Sequence, residues 1–238
     1  MSGKNEFPLR IAILGAGRMG REVETSAGEG SIEVTACLGR NELGDADCVA
    51  AALRDADVAI EFTVPDAAVS NIDLCLEAEC PVVVGTTGWY EDLEAVSARV
   101  IRRGGALLWA PNFSLGVALM KALCERAGEL LGGIDGFDMH LTETHHVGKK
   151  DAPSGTAILL GDILGEAARR EVGITSIRTG HVPGRHEVCI DGQHERVVLT
   201  HEARSRRVFA DGAVSAAAWL RGRTGVFTID DIIRLEEP

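Results

Sequence analysis

Glu143-Thr144-His145-His146-Val147-Gly148-Lys149-Lys150-Asp151-Ala152-Pro153-Ser154-Gly155-Thr156 starts on the last residue of an alternating run, 137–143, and leads into an apolar run at helical spacing, 157–164. The pattern reads as a strand, a crossover loop and a helix, and loops held on such a frame are where chemistry is carried. Within a few residues the loop gathers two histidines, two lysines and Ser154-Gly155-Thr156, whose backbone N–H groups open a helix. Each part alone has a plainer reading: a solvated histidine, a solvated Lys-Lys face, a helix start. Their order and spacing point instead to one site that moves protons and holds an anion.

Toward the N-terminus, Leu9 to Leu14 is a short apolar strand followed at once by Gly15-Ala16-Gly17-Arg18-Met19-Gly20 and a helix-compatible segment to Ala27. Glycines between a first strand and a first helix give a tight turn, close backbone approach and a helix N-terminus facing a pyrophosphate. These six residues are therefore expected to bind a dinucleotide. The second strand, 32–38, ends in Gly39-Arg40, where an NAD-binding unit would usually carry an acidic residue for the ribose. Without that carboxylate, Arg40 is available to pair a 2′-phosphate, which favours NADPH over NADH as cofactor. Strands at 58–63, 81–84 and 106–109 follow. The second of these empties into Gly85-Thr86-Thr87-Gly88, small residues that let a nicotinamide or ribose approach the backbone. The third ends in Ala110-Pro111-Asn112-Phe113-Ser114.

After Gly116 the pattern changes. Val117, Met120, Leu123, Ala127 and Leu130-Leu131 fall at helical spacing as a buried face, and strand-like stretches follow at 138–143, 176–179, 187–190 and 195–202, before a helix at 213–221. The expected architecture is α/β: a Rossmann-type doubly wound parallel sheet formed by 1–115 with 213–238, and a second, α+β domain with a mixed sheet, 116–212. Gly116 and the surroundings of Gly212 are candidate hinges.

With 238 residues, 45% of them hydrophobic, the chain can bury a sizeable core, and a net charge of −12 argues against general nucleic-acid or anionic-membrane binding. Its six cysteines are scattered without CxxC or zinc-finger spacing, so no metal site is expected. Residues 1–8 lack the apolar core of a secretory signal and no run reaches membrane-span length, so a cytoplasmic address is expected.

The stretch 143–156 resembles the signature Glu-x-His-His-x-x-Lys-x-Asp-Ala-Pro-Ser-Gly-Thr of the 4-hydroxy-tetrahydrodipicolinate (dihydrodipicolinate) reductases at every fixed position. The likeness continues through Glu61-Phe62-Thr63-Val64-Pro65, Gly85 to Gly88, Ala110 to Ser114, Arg178 to His186 and Ser205 to Ala213, whereas Gly39 departs from an acidic residue common in that family. The resemblance implies reduction by NADPH or NADH of a small cyclic dicarboxylate bearing a conjugated imine, in the diaminopimelate route to lysine, by a homotetramer joined through the second domain. It implies hydride delivery to ring C4, protonation by Lys149 with His145 as acid/base partner, and substrate carboxylates held by His146, Gly155 and Thr156. It places Gly85, Thr86, Thr87 and Ala110, Pro111, Asn112, Phe113 along the cofactor and gives Arg206 a supporting electrostatic role. Lys150 is adjacent to the family's catalytic position without occupying it. Two rival readings are a related two-domain dehydrogenase of another small acid and a dinucleotide-sensing protein without turnover.

Overall fold

The computed structural model describes residues 8–30 and 32–233. In chain order the elements are β1 (Leu9–Leu14), α1 (Arg18–Gly28), β2 (Ile32–Leu38), α2 (Arg40–Leu43), α3 (Ala46–Arg54), β3 (Val58–Glu61), α4 (Pro65–Glu77), β4 (Val82–Val84), α5 (Leu93–Arg103), β5 (Ala106–Trp109), α6 (Leu115–Leu131), β6 (Phe137–His145), α7 (Gly155–Ala168), β7 (Gly173–Arg178), β8 (Arg185–Gly192), β9 (Arg196–Glu202), α8 (Arg207–Leu220), β10 (Gly225–Thr228) and α9 (Asp230–Ile233). The chain divides into two compact units, Met1–Phe113 with Arg207–Pro238, and Ser114–Arg206. No helix among the described residues is long and apolar enough to cross a membrane.

The first unit is a six-stranded sheet in the order β10-β5-β4-β3-β1-β2, and every neighbouring pair in it is parallel. Val58, Ala59, Ile60, Val82, Val83 and Val84 are fully buried, as expected of parallel strands covered on both faces. The strand order reverses between β1 and β3, so the crevice at their carboxyl ends is the place where an α/β sheet of this kind takes a ligand.

The helix expected from residue 213 begins six residues earlier, at Arg207. Its guanidinium reaches both Glu29, with Nη1 2.8 Å from Oε1, and Asp211 one turn on, which anchors the first turn of α8 beside the end of α1. Gly212 therefore sits inside the helix, where a Cβ would stand 1.6 Å from the Phe113 carbonyl oxygen. Only glycine lets α8 lie that close.

The second unit carries a mixed sheet in the order β7-β6-β8-β9, parallel between β6 and β7 and antiparallel elsewhere. Met139 and Leu141 of β6 and Val188 and Ile190 of β8 project from one face onto Met120 and Cys124 of α6 and Leu160 and Leu164 of α7. The period of two in each strand continues this face into polar residues: Glu143 and His145 follow Leu141, and His186 precedes Val188. β6 runs on through His145, two residues beyond the expected strand end at 143, so Thr144 and His145 also belong to the strand and the loop proper is 146–154.

Candidate active site

In the first unit, Gly15 adopts φ +113° and a Cβ there would stand 2.1 Å from the Phe62 carbonyl oxygen; a Cβ at Gly20 would stand 1.8 Å from the oxygen of Gly15. The turn is thus packed as tightly as a pyrophosphate-binding loop requires. Gly17 is the N-cap of α1 without a side-chain cap, and nothing lies within 4 Å of its Cβ position, so the helix N-terminus presents open N–H groups. Arg18 and Met19 begin that helix, Arg18 exposed.

Arg40 opens α2, is exposed, and has no ion-pair partner among the described residues. Next to it stands a carboxylate that the sequence reading overlooked: Glu42 Oε2 accepts the Gly39 N–H at 3.0 Å and lies 3.0 Å from the place a Cβ of residue 39 would take. An acidic group therefore does reach the end of β2, from one helical turn further on. At the end of β4, a Cβ on Gly85 would strike the Phe62 ring at 2.0 Å, and the buried Thr86 hydroxyl accepts the Thr63 N–H at 2.7 Å. Thr86 holds the β3 loop in place, while Thr87 is exposed. After β5, Ala110 N–H is bonded to the Val84 carbonyl, Pro111 is exposed, Asn112 half-buried, and Phe113 packs edge-on to Phe62 with ring centres 6.0 Å apart. All these segments lie at carboxyl ends of the sheet strands, and they form a setting into which a dinucleotide fits.

In the second unit the register builds the site. β6 pairs Glu143 with His186 of β8, β8 pairs His186 with His201 of β9, and β6 pairs His145 with Arg178 of β7. Directly paired residues share a face, so these five side chains converge at the polar end of the core. Glu143 is 0% exposed. Its Oε1 accepts from Arg178 Nη2 at 2.7 Å and from Ser154 N–H at 3.3 Å, and its Oε2 is bonded to His145 Nδ1. Burial pushes the Glu143 carboxyl up, but the hydrogen bonds it receives, Arg178's foremost, outweigh burial and hold it down at about 2. His145 is 8% exposed, and its pKa lies below the usual imidazole range, first through burial and further through the charges of Lys149 and Arg178, against which Glu143 pulls upward.

Lys149 is half-buried with Nζ 2.9 Å from Asp151 Oδ2, His146 is half-buried, and Lys150 is exposed. Arg178 also donates to the Asp151 carbonyl at 2.5 Å, so one guanidinium ties the strand carboxylate to the loop that carries Lys149. The loop is further held by Thr179 N–H to the His145 carbonyl and Val147 N–H to that of Gly180. Ser154 caps α7 by accepting the Ala157 N–H at 3.2 Å, and its Oγ lies 3.2 Å from His186 Nε2. The N–H groups of Gly155 and Thr156 have no partner among the described residues, which leaves an open helix start, a geometry suited to an anion. His186 is 4% exposed, and burial together with the neighbouring His145 and His201 pushes its pKa down to about 4. A parallel arrangement holds α6: Ser114 caps it through Val117 N–H and its Oγ lies 3.3 Å from His201 Nε2. Arg206 is exposed at the end of this unit. Among the described residues no group of three or more His, Cys, Asp or Glu could hold a metal ion.

The structure brings His145, Lys149, Gly155 and Thr156 onto one strand-loop-helix segment and adds Glu143, Arg178, Ser154 and His186 as their supports. The signal for Glu143 lay in its spacing: two residues before His145 on a strand, it must share that residue's face.

A glycine-turn parallel sheet together with a buried acid/base cluster beside an open helix start defines an NAD(P)H-dependent oxidoreductase of two units. The family descriptions "Dihydrodipicolinate reductase, N-terminus" and "Dihydrodipicolinate reductase, C-terminus" match residues 9–113 and 116–233. The 4-hydroxy-tetrahydrodipicolinate reductase of Christiangramia forsetii is 36% identical over 94% of this chain and 98% of its own length, and that of Chromohalobacter salexigens is 35% identical over 95% and 99%. The chain belongs to the dihydrodipicolinate reductase family. Its fold is also that of the dipicolinate-bound dihydrodipicolinate reductase from Paenisporosarcina sp. TG-14, with TM-score 0.84 at 21% identity over 95% of this chain and all of the other. The DAP dehydrogenase of C. glutamicum, at TM-score 0.58 and 14% identity over 96% of each chain, is a more distant structural neighbour.

Proposed function

We propose that this protein reduces 4-hydroxy-tetrahydrodipicolinate to tetrahydrodipicolinate in the diaminopimelate route to lysine. The observation that carries the reading is the buried Glu143–His145 pair lying on the same segment as the free N–H groups of Gly155 and Thr156. One substrate carboxylate is held by those N–H groups, with His146 completing the grip through charge-assisted hydrogen bonds. Nicotinamide, when bound, supplies the hydride that goes to ring C4. Lys149, tied to Asp151 and so aimed by the loop, gives the proton that the reduced ring system takes up, and His145 is the acid/base group that replenishes it.

Gly15 to Gly20, Arg40, Gly85, Thr86, Thr87 and Ala110 to Phe113 hold the cofactor. NADPH is the preferred one, supported by the unpaired Arg40, and NADH is also used, supported by the Glu42 carboxylate at the end of β2. The working form is a cytoplasmic homotetramer joined through the mixed sheet. This reading is supported by the unpaired edges of β7 and β9 and by Val197 and Val198, which remain 49% and 45% exposed on β9.

The test is consumption of NADPH and of NADH by the purified protein with enzymatically generated substrate. Oxidation of NADPH at the higher kcat/KM is expected. No oxidation with this substrate, but turnover of another small acid, would replace the proposal with a related dehydrogenase.

A further inference from the structure

His145 has two ring nitrogens, and the surroundings of the ring distinguish them. Nδ1 is bonded to Glu143 Oε2. The other oxygen of that carboxylate already accepts from Arg178 Nη2 at 2.7 Å and from the Ser154 N–H at 3.3 Å. A carboxylate enclosed by donors in this way stays ionised and can only accept, so the hydrogen in the Glu143–His145 bond belongs to Nδ1. Nε2 has no hydrogen-bond partner among the described residues and lies against Gly184, where a Cβ would stand 3.0 Å away. The ring cannot turn over to exchange its nitrogens without losing the Glu143 bond. His186 meets it edge-on at 5.2 Å between ring centres and is itself tied to Ser154. The charged and titratable groups facing His145 are thus Glu143 on its own strand, Arg178 on β7, Lys149 in the loop and His186 on β8.

We propose that Glu143, clamped by Arg178, is the positioning residue that commits His145 to one tautomer, with the proton on Nδ1, and makes Nε2 the nitrogen that exchanges a proton during reduction. This rests on His145 being the acid/base group of the proposed reaction. The protonated ring gives up its Nε2 hydrogen to restore Lys149 after that lysine has protonated the reduced substrate, and becomes neutral, while the Nδ1–H bond to Glu143 is unchanged. The proton balance closes when Nε2 takes a proton back from solvent. Arg178, which opens the family-like stretch Arg178 to His186, acts through Glu143 and never touches the substrate. Glycine at 184 is the second requirement, because a methyl there would press on the exchanging nitrogen.

The test is the ring 15N spectrum of His145 in histidine-labelled, unliganded protein at neutral pH, assigned by comparison with the His145→Asn variant. The expected state carries hydrogen on Nδ1 and none on Nε2. In Glu143→Gln, whose amide can donate or accept, both tautomers should appear. kcat should fall by on the order of a hundredfold, with KM for NADPH changed less than about twofold, the pattern of an interaction lost at the chemical step. The limb of the pH profile on which the rate falls as His145 loses its proton should move to lower pH, because Glu143 holds the His145 pKa up. Glu143→Asp, which keeps the charge, should recover part of the rate. Nε2–H as the dominant form in the unaltered protein overturns the proposal even if no Glu143 variant folds; so does a Glu143→Gln variant with one tautomer and full kcat. The Nδ1–H form in a protein that does not turn over the substrate would sink the functional reading and uphold the tautomer assignment.

Discussion

Replacing Arg178 with methionine keeps the unbranched stem of the side chain but removes the guanidinium from a carboxylate that has no exposure. Glu143 is held at about 2, against an ordinary value of 4.5. At about 1.4 kcal/mol per pK unit, that difference corresponds to about 3 kcal/mol of stability at pH 7, to which Arg178 is the largest favourable contributor, with Ser176 and His145 supplying the rest. The folded-state value is the depressed one, so this stability is present above about pH 4.5 and is lost as pH falls toward 2. By pH 3 roughly 1 kcal/mol remains. Loss of one partner of a buried ion pair is of the same size, about 3 to 5 kcal/mol, because the other charge is left uncompensated. For a chain of this length the expected drop in Tm at pH 7 is about 6 to 12 °C. Calorimetry of the native protein and Arg178→Met across pH 7 to 3 should show the gap between them narrowing as pH falls. The double variant Glu143→Gln/Arg178→Met, which buries no net charge, should regain at least half of the loss. A gap that does not change with pH, or a double variant no more stable than Arg178→Met, would refute the assignment of this energy to the buried pair.

Three further outcomes are expected. His145→Ala and Lys149→Ala should each lower kcat by about a hundredfold or more in the coupled reductase assay, and a change confined to substrate KM would assign them to binding. Arg40→Ala should raise KM for NADPH far more than KM for NADH, whereas Glu42→Gln should weaken NADH the more, as steady-state kinetics with both cofactors will show. Ser154→Ala removes the cap of α7 and leaves the buried His186 with neither ring nitrogen partnered. A cost of about 2 to 4 kcal/mol in urea unfolding should result, with a rise in substrate KM.

Much of the first unit is legible in the sequence because each of its parts is local. Val82, Val83 and Val84 read as a strand buried on both faces, and Gly15 to Gly20 read as a phosphate turn from their position alone. The second unit is harder, for a physical reason. Glu143 and His145 occupy inward positions of β6, yet their polarity breaks the hydrophobic alternation, and the strand therefore looks finished two residues early. What makes them tolerable there is pairing with Arg178 and His186, partners set by strand register rather than by neighbouring sequence. Glu42 escaped notice for a smaller reason, since it reaches the end of β2 by way of a single turn of helix. The start of α8 was equally invisible, because the anchor for Arg207 is Glu29, 178 residues away.

The two serines that open α6 and α7 are each tied to a histidine, His201 and His186, that face one another across β8 and β9. The hairpin tip at 193–195 can therefore be lengthened or shortened, since that leaves the two rings opposed. Deleting a single residue between His186 and Ile190 is another matter. It would turn the inward row outward, and both helices would lose their footing at once, although neither had been altered.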